Sequence, residues 1–98
     1  MTTANQIFAQ LGGNKFLAMT GAHTLISHGN ALSMKLRTNK SKANYLIITL
    51  NGLDLYNVEF LKVNYSKDTT TEVKIFENVY NDQLQNIFTE ITGMYTKL

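Results

Sequence analysis

Apolar positions recur at helical spacing at the two ends of the chain and at strand spacing between them. Near the start, Ala4, Ile7, Phe8 and Leu11 fall three and four residues apart, which places them on one face of a short helix. Thr3 and Gln6 have capping-box spacing, and Gly12-Gly13 supplies a residue that tolerates positive φ and ends the helix. Near the end, Leu84, Ile87, Phe88 and Ile91 form a second helical stripe. Asn81 or Asp82 caps it, Asp82 and Gln85 repeat the capping spacing, and Gly93 stops it. Between the helices the period changes to two. Lys15-Phe16-Leu17-Ala18-Met19 reads as a short apolar strand interrupted at Gly21. His23 to Ile26 is an extended connection or a short strand, and Ser27-His28-Gly29-Asn30 is a turn cluster. From Ala31 to Arg37 the chain alternates, with Leu32, Met34 and Leu36 facing one way and Ser33, Lys35 and Arg37 the other. Thr38 to Ala43 is a polar, basic loop.

The run from Asn44 to Leu50 meets Asn51-Gly52 and a second run from Leu53 to Phe60. Asn-Gly between two such runs predicts a hairpin with a two-residue type I′ turn. That turn pairs Leu50 with Leu53 and Ile48 with Leu55, making one face aliphatic. The other face gathers Tyr45, Ile47, Tyr56, Val58 and Phe60. The second strand continues towards Tyr65, Ser66 to Thr69 turns the chain, and Thr70 to Tyr80 forms a further strand. The expected architecture is α+β: an antiparallel, meander-like sheet of four to five strands with an N-terminal and a C-terminal helix packed on it. With both helices on the aliphatic face, the aromatic face is left for a partner, and a homodimer is the preferred cover. One helix on each face, or a sheet curled on itself, is the alternative that leaves no such surface.

Composition fits one small domain spanning all 98 residues. The chain is 44% hydrophobic and 16% charged, which argues against disorder. It holds no cysteine, excluding disulfides and thiol chemistry, and two histidines are too few for a His-rich metal cluster. No cofactor is implied. No apolar run approaches the ~18 residues of a membrane helix, and no basic-then-apolar start marks a secretory signal, so a cytoplasmic protein without a membrane partner is expected.

Charge changes the picture more. No Asp or Glu precedes Asp54, so the first half carries +5 and the rest −3. Lys35, Arg37, Lys40 and Lys42 lie within eight residues and Tyr45 follows. Cations that track phosphates beside aromatics that stack on bases are how single-stranded nucleic acid is held. A nucleic-acid-binding module using these four cations is therefore the alternative reading, although a basic loop is more commonly just solvated.

Catalytic candidates are sparse. Ser27, His28 and Asp54 can be named as a triad without any spacing that singles them out. Glu59, Glu72 and Glu77 could form carboxylate pairs across adjacent strands, or partner lysines instead. Gly12-Gly13-Asn14-Lys15 follows a helix rather than opening one, the wrong side for a phosphate cradle. The reading is a non-catalytic protein.

Three stretches carry a resemblance. They are Leu11-Gly12-Gly13-Asn14-Lys15-Phe16 with Met19-Thr20-Gly21-Ala22; Ala43-Asn44-Tyr45 through Asn51-Gly52-Leu53 to Phe60; and Asp82-Gln83-Leu84 through Thr92-Gly93-Met94-Tyr95-Thr96. Together they resemble a family of small uncharacterised proteins carried by bacteriophages, prophages and related mobile elements. The resemblance implies a setting, an infected bacterium, and by analogy an accessory protein that binds a host macromolecule such as a defence component. It carries over no site residue. The partner-binding candidates remain Tyr45, Ile47, Tyr56, Val58 and Phe60.

Overall fold

The computed structural model describes residues 3–96. Three helices and a five-stranded antiparallel sheet make an α+β fold, in the order α1 (Thr3–Leu11), α2 (Asn14–Thr20), β1 (His23–Ser27), β2 (Ala31–Lys35), β3 (Tyr45–Leu50), β4 (Tyr56–Asn64), β5 (Thr69–Val79) and α3 (Leu84–Thr92). A 3₁₀ turn, Asn81–Gln83, leads into α3. The strands lie side by side in chain order, so the sheet is a meander, as the alternating runs predict. Lys97, counted among the cations of the second half, lies outside the described residues.

All three helices cover one face of the sheet. Ala4, Ile7 and Leu11 of α1, Phe16 of α2, and Leu84 and Phe88 of α3 join Leu32, Met34, Leu46, Ile48, Tyr56, Val58 and Phe60 in one buried cluster. The aromatic rings tie the layers together. Phe88 meets Phe16 edge-on at 5.0 Å and tilts over Phe60 at 6.4 Å, and Phe60 meets Phe76 of β5 at 6.4 Å.

The chain departs from the sequence reading in three places. The stretch from Lys15 to Met19 is helix α2, not a strand. Gly12 and Gly13 both take positive φ, 122° and 63°, so the pair reverses the chain between two helices. Phe16 and Thr20, four apart, face the core, and the Thr20 hydroxyl donates to the Phe16 carbonyl at 2.7 Å. At α3 the entry is built one step earlier than Asn81 or Asp82, because the Gln83 side-chain oxygen accepts from the Tyr80 amide at 3.2 Å. Thr3 is already helical, so the cap of α1 falls outside the described residues.

The third departure decides where the faces lie. The β3–β4 connection is a five-residue loop, not a two-residue turn. Asn51 uses its side-chain oxygen to accept from the amides of Leu53 (2.8 Å) and Leu55 (3.3 Å), while its own amide donates to the Leu55 carbonyl at 2.8 Å. Positive φ falls on Asp54 (60°), not on Asn51. Observed partners are Leu50 with Tyr56, Ile48 with Val58, and Leu46 with Phe60. The loop is three residues longer than the I′ turn. Three is odd, so the register slip turns every β4 side chain to the opposite face. Burial explains the outcome. The I′ register would put Asn57 and Glu59 under the helices, and a buried carboxylate without a partner costs more than any turn preference returns. The adopted register buries Tyr56, Val58 and Phe60, and each apolar side chain so buried contributes about 1.5–3 kcal/mol.

Candidate functional site

The sheet face opposite the helices is the one extended surface that no element of the described residues covers. Its cross-strand rows follow from the pairing. One row holds Ile26 of β1, Ser33 of β2, Ile47 of β3, Glu59 of β4 and Ile75 of β5. The next holds His23, Lys35, Tyr45, Leu61 and Glu72. Ile26 is 45% exposed and Ile75 37%, while Ile47 and Tyr45 are half-buried.

Of the five residues expected to share a docking face, Tyr45 and Ile47 do lie on this open one. Tyr56, Val58 and Phe60 do not. They are 4%, 2% and 0% exposed beneath the helices, so no partner can touch them in the folded chain. Glu59 and Leu61 of β4 take their places because the β3–β4 register differs by three from the expected one, and Ile26 and Ile75 extend the face onto the outer strands.

Ser33 is fully buried although it points away from the helices. His28 Nε2 lies 2.7 Å from its hydroxyl, and the Tyr45 hydroxyl donates to it at 3.0 Å. The two rings close over the serine and pin the β1–β2 turn to the sheet. A serine beside a histidine invites a nucleophilic reading, but a hydroxyl with no exposed surface cannot reach a substrate, and among the described residues no carboxylate bonds to His28. Of the triad that can be named from sequence, His28 pairs with Ser33 and not with Ser27. No cluster of three or more metal-ligating side chains occurs among the described residues.

The four cations of the basic segment do not act together. Lys35 rises from β2 on the open face, and its ammonium lies 5.1 Å from the centre of the Tyr65 ring beyond β4. The Arg37 side chain lies across Gly21, the left-handed residue that ends α2. Lys40 lies across Gly93, which ends α3, and its amide donates to the Thr92 carbonyl at 3.3 Å. Both are thus set against helix C-termini, where unpaired carbonyls favour positive charge. Lys42 is exposed. Tyr56, which the two-residue turn would set on the same face as Tyr45, is in the core.

The connection that carries Arg37, Lys40 and Lys42, residues 36–44, is held by asparagines. Asn39 donates to the carbonyls of Arg37 and Ala43, both at 2.8 Å, and accepts from the Ser41 amide at 3.0 Å. Asn44 pairs its side-chain amide with the backbone of Val63 through two bonds of 2.9 and 2.8 Å, extending the β3–β4 ladder by side-chain mimicry. Asn44→Ala is expected to lower unfolding stability by about 1–3 kcal/mol, because both Val63 groups lose their partner. Urea titration monitored by circular dichroism measures it.

Gly21 offers a second check. Its φ is +71°, and a Cβ there would run into the Arg37 stem, whereas Gly29, at +72°, faces open space. Gly21→Ala and Gly29→Ala share a left-handed backbone cost of about 1 kcal/mol. Thermal unfolding of Gly21→Ala is expected to fall further, and Arg37→Ala in the same chain should recover the excess.

Among the described residues no helix is long and apolar enough to cross a membrane. The chain matches no family model, and no curated protein or solved structure shows significant similarity to it.

Proposed function

We propose that the chain is a small non-catalytic accessory protein of a phage or mobile element, working in the host cytoplasm by binding a host protein through the helix-free face of its sheet. The observation that carries this reading is the face itself. It presents isoleucines, tyrosines, a lysine and carboxylates on a rigid antiparallel platform, and exposed mixed surfaces of this kind mark interfaces. The phage setting and the host partner, a defence component included, come from the sequence resemblance. Immobilised protein should retain a partner from a lysate of the bacterial host. Ile47→Asp should abolish that retention, while Glu90→Lys on the helical layer should not. Equal retention by all three would remove the face from the mechanism.

The nucleic-acid reading is supported by Lys35, Tyr45 and Tyr65, which share the open face or its rim. Glu59 and Glu72 on the same face repel phosphate, and Arg37 and Lys40 lie against helix ends, so protein is the better-fitting partner. Removing Arg37, Lys40 and Lys42 together, with Lys35 kept on the open face, should leave partner retention intact. A salt-sensitive oligonucleotide shift by the wild type, lost in that variant, would reverse the preference.

A further inference from the structure

We infer that a second copy of this chain occupies the open sheet face, as a two-fold sandwich in which strands β1 and β2 of each protomer lie over β4 and β5 of the other. The inference rests on the reading of this face as a contact surface and names its occupant.

The face is self-complementary in both shape class and charge. Its β1–β2 half carries Lys35 and His23 and no carboxylate. Its β4–β5 half carries Glu59 and Glu72, while Lys62 and Lys74 of those strands belong to the other face by register. A two-fold axis lying in the interface along β3 brings opposite halves together and keeps the rows aligned, apart from the ~30° crossing usual for packed sheets. Ile47 then meets its own copy at the centre, as does Tyr45. Ile26 of one chain meets Ile75 of the other, and these are the exposed isoleucines of the face.

Glu59 adds a charged contact to this pairing. It is half-buried between Ile47 and Ile75 in its row and makes no ion pair or hydrogen bond among the described residues. Its carboxylate therefore stays open to solvent in a single copy and is available to a donor on a partner. In the sandwich it lies opposite the second copy's His28, which covers Ser33 and offers a ring N–H. Lys35 likewise makes no ion pair among the described residues and lies opposite the acidic half of the other copy.

The scale of the surface sets the expected affinity. Five strands about 4.8 Å apart and about 17 Å long present roughly 400 Å² in projection per copy, more once side-chain relief is counted. Both copies together then bury about 800 Å² before that relief, the scale of weak, transient interfaces, so weak self-association is expected. In this pair the docking face is closed, and a host protein that binds there competes with the second copy.

Sedimentation equilibrium over a concentration series tests the inference on the full chain. The mass should rise from 11.1 kDa towards twice that value. Ile47→Asp places two carboxylates at the two-fold centre and should hold the mass at the monomer value. Should that variant fail to fold, charge reversal serves instead. Lys35→Glu alone and Glu59→Lys with Glu72→Lys should each be monomeric, and their equimolar mixture should regain the dimer mass. A wild type that remains monomeric at millimolar concentration overturns the second copy. The broader reading then stands if host-protein retention is still lost in Ile47→Asp. A dimer unaffected by Ile47→Asp and by both charge reversals places the interface elsewhere and also overturns the inference.

Discussion

Phe88→Ala is expected to unfold much of the protein at physiological temperature. The ring is 1% exposed and stands where the layers converge, edge-on to Phe16 of α2 and tilted over Phe60 of β4. Truncating a fully buried phenylalanine costs about 3–5 kcal/mol, the lost transfer energy plus the cavity left behind. Little relaxation is available here. The walls of the cavity are two other aromatic rings, one fixed in the sheet and one in a helix only seven residues long. Domains of this size carry about 5–15 kcal/mol in total, so the loss takes a large share. At about 4–8 °C per kcal/mol the melting temperature should fall by more than about 12 °C. Glu90→Ala, on the exposed side of the same helix, should stay within about 0.5 kcal/mol of the wild type. Differential scanning calorimetry of the pair gives the contrast. Equal melting temperatures would mean that α3 is not docked through this ring.

Much of the fold is legible in the sequence because local pattern and tertiary burial agree. The stripe Leu84, Ile87, Phe88 and Ile91 becomes α3, and Gly93 ends it with its amide on the Thr89 carbonyl. Leu32, Met34 and Leu36 point into the core as their alternation requires. Helix α2 is less legible because its apolar positions, Phe16 and Leu17 with Met19, also suit a short strand, and only the two flanking glycine stops mark its length. The candidate surface is least legible. An Asn-Gly pair has a strong turn preference of its own, yet Asn51 here spends its side chain on the amides of Leu53 and Leu55, and burial of Phe60 and Val58 outweighs the turn. Burial of Ser33 depends on His28 and Tyr45 meeting over it from different elements, which no local pattern encodes.

Tyr45 and Tyr56 turn that register into a measurable difference. A two-residue turn would set both rings on one face, and their removal would then have comparable effects. In the observed register they stand on opposite faces. Tyr56 is 4% exposed in the core opposite Leu50, and Tyr56→Ala should cost about 3–5 kcal/mol, as for other large buried aromatics. Tyr45 is half-buried on the helix-free face, where its hydroxyl donates to Ser33. Its removal gives up about 1 kcal/mol for that bond and leaves His28 to hold the serine. Stability should therefore fall steeply in one variant and slightly in the other, read as urea midpoints at constant m-value. Binding should follow the opposite order. Tyr45→Ala, still folded, should weaken whatever sits on the open face, while Tyr56→Ala should affect binding only in proportion to the fraction unfolded. Leu53 completes the set. It is 70% exposed at the loop tip, where the two-residue turn would have made it the cross-strand partner of Leu50 in the core. Leu53→Ser should leave the midpoint within about 0.5 kcal/mol of the wild type. A large loss there, with equal losses for the two tyrosines, would restore the shorter turn and return Tyr56, Val58 and Phe60 to the open face.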